Sequence, residues 1–190
     1  MPDRVFATAR FFTLTGFLWL AAVAFAVEPA VQKENVVESR TETEEAKAFP
    51  SVEEARRQAR LLHSTYEATL HVMHRRYFDA DEKEVIPARA LEDIFDLMDE
   101  ETGGTTRWIA VNTPAMNVDH EPKTLFEKQA VEMLTAGERD HEAVADGMYH
   151  RAGAVTLFGS CLKCHLSALT QQVQNERVAA LVVRLPIREE

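Results

Sequence analysis

Apolar positions along this chain change their period several times, and those changes outline the elements. Phe11 to Val23 is a largely apolar run of 13 residues, preceded by Arg4 and Arg10 and followed by Ala24-Phe25-Ala26. A basic start, a short apolar run and a small-x-small site form the layout of a secretory signal peptide, with cleavage expected after Ala26. A membrane span needs about 20 apolar residues, and the polar stretch from Val27 stops this run short, so no stable span is expected after cleavage. Residues 27–50 are rich in Glu, Thr, Lys and Ser without an apolar period, and are expected to form a flexible linker.

A helical period begins at Ser51. Ser51-Val52-Glu53-Glu54 has capping-box spacing, and Ala55, Ala59, Leu62, Tyr66, Leu70, Met73 and Tyr77 then recur at three- and four-residue steps. This predicts one amphipathic helix of about seven turns. Pro87 opens a second helix bearing Ala90, Leu91, Ile94, Phe95 and Met98, and Gly103-Gly104 stops it. The aromatic and β-branched segment Arg107–Asn112 predicts a strand. After a loop over residues 113–121, Pro122 is expected in the first turn of a third helix carrying Leu125, Phe126, Ala130, Val131 and Leu134, which ends at Gly137. Asp146-Gly147 signals a hairpin between Glu142–Ala145 and Met148–Leu157. Val178–Leu185, closed by Pro186, predicts a last strand. No internal repeat is visible. The whole describes an α+β domain over residues 51–190, with two or three helices on a small antiparallel sheet.

Composition narrows the function. At 190 residues the chain has room for one ordinary domain. Hydrophobic residues at 46% and charged residues at 27% exclude a disordered chain, a collagen-like repeat and a polytopic membrane protein. The formal charge is −10, and loss of residues 1–26 leaves 19 basic and 30 acidic side chains, a net of −11. Such a chain lacks the clustered Lys and Arg that phosphate contacts need, so nucleic acid is not an expected partner. Two cysteines cannot make a disulfide scaffold.

Those two cysteines carry the chemistry. Cys161-Leu162-Lys163-Cys164-His165 is a C-x-x-C-H sequence, the attachment pattern of a c-type haem. One helical turn sets two thiols on one side, within reach of the two vinyl groups of one haem, and the adjacent imidazole serves as the proximal iron ligand. A thioredoxin-type dithiol normally sits early, between a strand and a helix, and a structural zinc site needs a second pair of ligands that no other cysteine supplies. The motif and the export signal support each other, because thioether attachment takes place outside the cytoplasm. An exported, periplasmic, bacterial haem protein is therefore expected. Only 25 residues follow His165, none of them Met or His, which excludes the layout of small cytochromes c with a downstream distal Met. The predicted strands argue against a four-helix cytochrome c′.

Several motifs then occur in order: Met73-His74-Arg75-Arg76-Tyr77-Phe78, Ile86-Pro87-Ala88-Arg89-Ala90, Arg107–Asn112, Met116-Asn117-Val118-Asp119-His120 and Tyr149-His150-Arg151-Ala152-Gly153, followed by the haem motif. Over residues 55–187 the chain resembles the family of PAS-like monohaem c-type domains, formerly catalogued as a domain of unknown function. The family occurs as stand-alone exported proteins and as extracytoplasmic sensor parts of signalling proteins. The resemblance implies a PAS-like antiparallel sheet with N-terminal and flanking helices, and one covalent haem held by Cys161, Cys164 and His165. In part of the family a cysteine ahead of the sheet is the second axial ligand. This chain has no third cysteine, so that ligation does not carry over.

The distal position is open to the remaining histidines and methionines, or to no protein ligand at all. His71 and His74 share a side of the first helix near its end, and His120 lies in the loop after the first strand. Bis-histidine ligation is expected, with His74 ahead of His71 and His120 third; a solvated histidine is the bland alternative for each. Met73 and Met116 are possible thioether ligands, although Met73 falls on the apolar stripe. His141 and His150 are expected to be partly exposed beside the hairpin. Arg89, Arg107 and Arg151 suit haem propionates or ordinary surface ion pairs, and Trp108 and Asn112 suit the pocket wall, although a strand Trp is usually core. No hydrolase, P-loop or dinucleotide fingerprint is present. Function is expected to be that of a redox- or ligand-responsive haem protein, with a small gas ligand or a redox partner protein as counterpart. Electron transfer is the alternative, and a small peroxidase ranks behind both.

Overall fold

The computed structural model describes residues 47–78, 86–166 and 176–188. The expected signal peptide and most of the expected linker lie outside the described residues. The elements in chain order are helix α1 (Val52–Arg76), helix α2 (Pro87–Thr102), strand β1 (Thr105–Ala110), a 3-10 turn (Val118–His120), helix α3 (Leu125–Thr135), strands β2 (Asp140–Ala145) and β3 (Met148–Thr156), short helix α4 (Gly159–His165) and strand β4 (Val178–Pro186). The strands form one four-stranded sheet in the order β1-β4-β3-β2, antiparallel throughout. This is the expected α+β architecture.

Local chemistry accounts for the boundaries. The Ser51 hydroxyl accepts from the Glu54 N–H, as its cap position predicts, while the Glu54 carboxylate pairs with Arg57. Gly103 closes α2 in the left-handed conformation, at φ +68°. The third helix differs from expectation. Pro122 stands before it, and Thr124 is the N-cap in a full capping box with Glu127. The first strand is also shifted two residues toward the N-terminus, because Thr106 is held to the end of α2. Its N–H and hydroxyl donate to the two carboxylate oxygens of Asp99, at 2.7 and 2.8 Å. Asp146 and Gly147 both have positive φ, +52° and +67°, the twist that a two-residue hairpin turn requires.

The sheet is covered on both faces, so its inner strands carry nearly continuous apolar runs. On β4, Leu181, Val183 and Leu185 face α1 and α2, where they meet Ala59, Leu62, Tyr66, Leu91 and Phe95. Ala180 and Val182 face the other way, toward Ala130 and Leu134 of α3. His150 follows the second set. It is buried against Phe126 of α3, which corrects the expectation of a partly exposed side chain. The Phe49 backbone bonds Pro186 and Arg188, so the chain joins the domain two residues before Ser51.

Candidate functional site

A cavity opens at one end of the sheet, where the last turns of α1, the ends of β1 and β3, and α4 converge. Its empty space is about 720 Å³, counting the part open to solvent. The walls are mostly apolar and include Leu70, Ile86, Trp108, Ile109, Val155 and Leu157. The polar side chains are four histidines, His71, His74, His120 and His165, together with Thr113 and Thr156. No Lys, Arg, Asp or Glu is among the described residues that line it.

The connection from β3 to α4 places the motif. β3 ends at Thr156, and α4 begins three residues later at Gly159, so Cys161 and His165 turn back onto the cavity wall. Cys161 is buried and Cys164 is exposed; both are free thiols. They lie one helical turn apart and so on the same side of α4. Burial lowers the pKa of His165 from its ordinary value, and nearby His74 and His120 lower it further. That favours the neutral imidazole, the form that binds a metal.

The three other cavity histidines differ in which ring nitrogen is committed. His74 Nδ1 lies 3.1 Å from the Leu70 carbonyl, an acceptor, so Nδ1 carries the proton and Nε2 keeps its lone pair. Burial lowers the pKa of His74, with the Leu70 bond opposing and His71 adding to the shift. In His71 it is Nε2 that donates, to the Thr156 carbonyl at 3.2 Å, and the ring lies against Phe158. In His120 it is again Nε2, at 2.7 Å from Glu92 Oε1. His71 and His120 therefore have only Nδ1 uncommitted, the nitrogen next to their own Cβ.

Some expected residues fall elsewhere. Arg107 runs away from the cavity, pairing with buried Glu127 and donating to the carbonyls of Asp119 and Glu121. Arg151 is buried under α1, bonded to Asp140 at 2.9 Å. Arg89 pairs with Glu92 and does not line the cavity. Asn112 clamps the start of β4, its Oδ1 accepting from the Val178 N–H at 2.8 Å and its amide donating to the Glu176 carbonyl. Its place is set by that backbone, not by the cavity wall. Trp108 serves both roles, packing on Phe95 in the core and lining the cavity, with Nε1 donating to the Ala88 carbonyl. Met116 lines the cavity and is exposed, and Met73 packs on the core. Glu92 behind His120 was not expected; its pairing crosses 28 positions and has no local signature.

Comparison with known proteins gives a consistent picture. Among curated protein sequences none matches this chain. Among solved structures, the crystal structure of the cyanobacterial heme-protein Tll0287 matches with a TM-score of 0.51 and 14% identity, covering 67% of this chain and 91% of that one. At that identity the likeness establishes a shared fold. The family profile named Tll0287-like matches residues 46–180, nearly the whole of the described domain. The chain belongs to the Tll0287-like family.

Proposed function

We propose that this protein is an exported monohaem c-type cytochrome that responds to redox state or to a small ligand. The observation that carries the reading is the convergence of Cys161 and His165 with three further histidines on one apolar cavity. The residues fit a haem: apolar walls for the macrocycle, two thiols one turn apart for its vinyl groups, and imidazoles for its iron. Cys161 and Cys164 would hold the group covalently, and His165 would be the proximal ligand. His74 would be the distal ligand, because it alone among the other cavity histidines keeps Nε2 uncommitted while Nδ1 is anchored to a backbone carbonyl. An imidazole oriented this way by its second nitrogen is the usual arrangement of a metal-bound histidine. Bound haem would supply one-electron chemistry at the iron.

The chain's own part is to exclude water, fix both imidazoles and present Cys161 on the cavity wall, with Cys164 exposed one turn further along α4. Burial in these walls would favour the less charged state of the iron site, and no charged side chain among the described lining residues opposes that preference. The comparison with a heme-protein of the same fold and family supports the haem reading. The expected export signal supports a periplasmic location, where thioether attachment takes place.

The test is expression with c-type maturation and a denaturing gel stained for haem. Haem is expected to stay with the polypeptide in the native chain and to be lost in the double variant Cys161→Ser, Cys164→Ser. A native chain without covalent haem would overturn the reading and restore the dithiol alternative.

A further inference from the structure

Outside the cavity, four large apolar side chains stand exposed on the first two helices: Leu61 and Val72 of α1, Ile94 and Leu97 of α2. Single exposed apolar residues are ordinary on a protein surface, whereas a set sharing one groove marks a contact site. These four share a groove. The end of α1 and the start of α2 both line the cavity, and midway Tyr66 packs on Phe95 with ring centroids 4.8 Å apart, so the helices run side by side and antiparallel. Arg56 and Arg60 turn one flank of α1 toward Glu142 of β2, and Asp99 turns one flank of α2 toward Thr106 of β1. β1 and β2 are the opposite edges of the sheet. At about 3.6 residues per turn, Leu61 and Val72 fall on the other flank of α1, and Ile94 and Leu97 on the other flank of α2. The two pairs therefore face each other across the outer groove between the helices.

The ends of this groove carry opposite charge. At the cavity end stand Arg75 and Arg76, both exposed and without an ion pair among the described residues. At the far end stand the exposed Glu100 and Glu101, whose carboxylates also have no ion pair among the described residues. Arg57 beside them is already matched by Glu54. We propose that the groove between α1 and α2 is a self-association surface, on which a second copy of this chain docks about a two-fold axis with its own α1–α2 pair running antiparallel.

Charge chooses both the occupant and its direction. A half-turn about an axis normal to the groove lays the Arg75–Arg76 end of each copy on the Glu100–Glu101 end of the other, twice over. The same half-turn stacks the apolar middle, Leu61, Val72, Ile94 and Leu97, on its own counterpart. A parallel arrangement would set arginine against arginine and glutamate against glutamate. One self-complementary surface closes at two chains and leaves no second face to propagate. The buried apolar middle supplies the affinity, and the charged ends fix the register and speed the encounter. The surface stands on α1 and α2 alone and does not depend on the haem reading.

The experiment is sedimentation equilibrium of the native chain over a wide range of concentration, with circular dichroism as the check on folding. The native chain should sediment at twice the chain mass. Leu97→Glu and Leu61→Glu, both at exposed positions, should each sediment at the mass of one chain while keeping the native spectrum. Two charge reversals test the direction. Arg75→Glu with Arg76→Glu in one variant, and Glu100→Arg with Glu101→Arg in another, should each weaken the dimer roughly tenfold or more, because like charges then meet at both ends. Mixed together, the two variants should pair again, since every contact is then between opposite charges. A native chain that stays at one chain mass overturns the proposal and leaves the groove to a different protein. A dimer that survives both glutamate substitutions places the interface elsewhere and overturns it too. Charge-reversed variants that fail to pair on mixing would overturn the antiparallel two-fold, and a mass that climbs beyond two chains would overturn closure.

Discussion

At Gly153 of β3 the His63 side chain of α1 lies close against the sheet. A Cβ there would lie 2.5 Å from Arg151 Nη1 and 2.7 Å from His63 Nε2, both on buried side chains. Gly153→Ala is therefore expected to cost roughly 1–3 kcal/mol, as other overpacked cores do, measured by urea unfolding. A change within a few tenths would mean that His63 moves aside freely. His63 also gives the stability a pH dependence. Burial and the Arg151 charge lower its pKa below the ordinary histidine value near 6.5. Above that value both folded and unfolded chains hold it neutral. As pH falls through it, the unfolded chain binds a proton that the folded chain refuses, so stability drops by at most about 1.4 kcal/mol per pH unit for this group. His150, lowered by burial and by Arg184, acts in the same direction. His63→Gln should flatten the loss of stability between pH 6.5 and 5, and an unchanged slope would contradict the assignment. At this scale the sequence displayed the haem motif and the candidate histidines plainly. It hid the Arg151 charge acting on His63 and the Glu92 contact to His120, because each joins residues far apart in the chain.

Among the elements, α3 shows how a cap bears on the site. Burial pushes the Glu127 carboxyl up, but the Thr124 and Lys123 N–H groups and the Arg107 guanidinium outweigh it and hold the group below its ordinary value. The same Arg107 binds the carbonyls on either side of His120, so the α3 cap and the cavity loop share one guanidinium. Thr124→Ala is expected to lower stability by about 1 kcal/mol, the ordinary worth of a cap, in thermal or urea unfolding. Removing Arg107 should cost more, roughly 3 kcal/mol, since Glu127 would be left buried and unpaired. Equal effects from the two variants would mean the ion pair contributes little. The first two helices, the hairpin and the last strand were legible because their periods and stop residues agree. Pro122 pointed one turn too early, because a proline before a cap and a proline inside a first turn look alike in sequence. The strand Thr105–Ala110 was displaced because its start is set by Asp99, a tertiary contact.

In the whole molecule, α1 spans both halves of the design. Its first turns are tied to β2 through Arg56 and Arg60 on Glu142, at 2.7 and 3.1 Å, and its last turns supply His71 and His74 to the cavity. Burial raises the Glu142 pKa, but the bonds from Arg56 and Arg60 outweigh it, so this anchor stays charged near neutral pH. A ligand on α1 opposite one on α4 would couple the state of the iron to a helix that packs along the sheet. The cavity itself was not visible in the sequence, since its walls come from five separate stretches. The most direct test of the account is the absorption spectrum of the reduced protein before and after carbon monoxide, for the native chain and for His74→Ala. The account predicts a low-spin native spectrum that carbon monoxide leaves unchanged, and a prompt shift in His74→Ala. A native spectrum that shifts at once, or a His74→Ala spectrum identical to the native one, would contradict His165 and His74 as the axial pair.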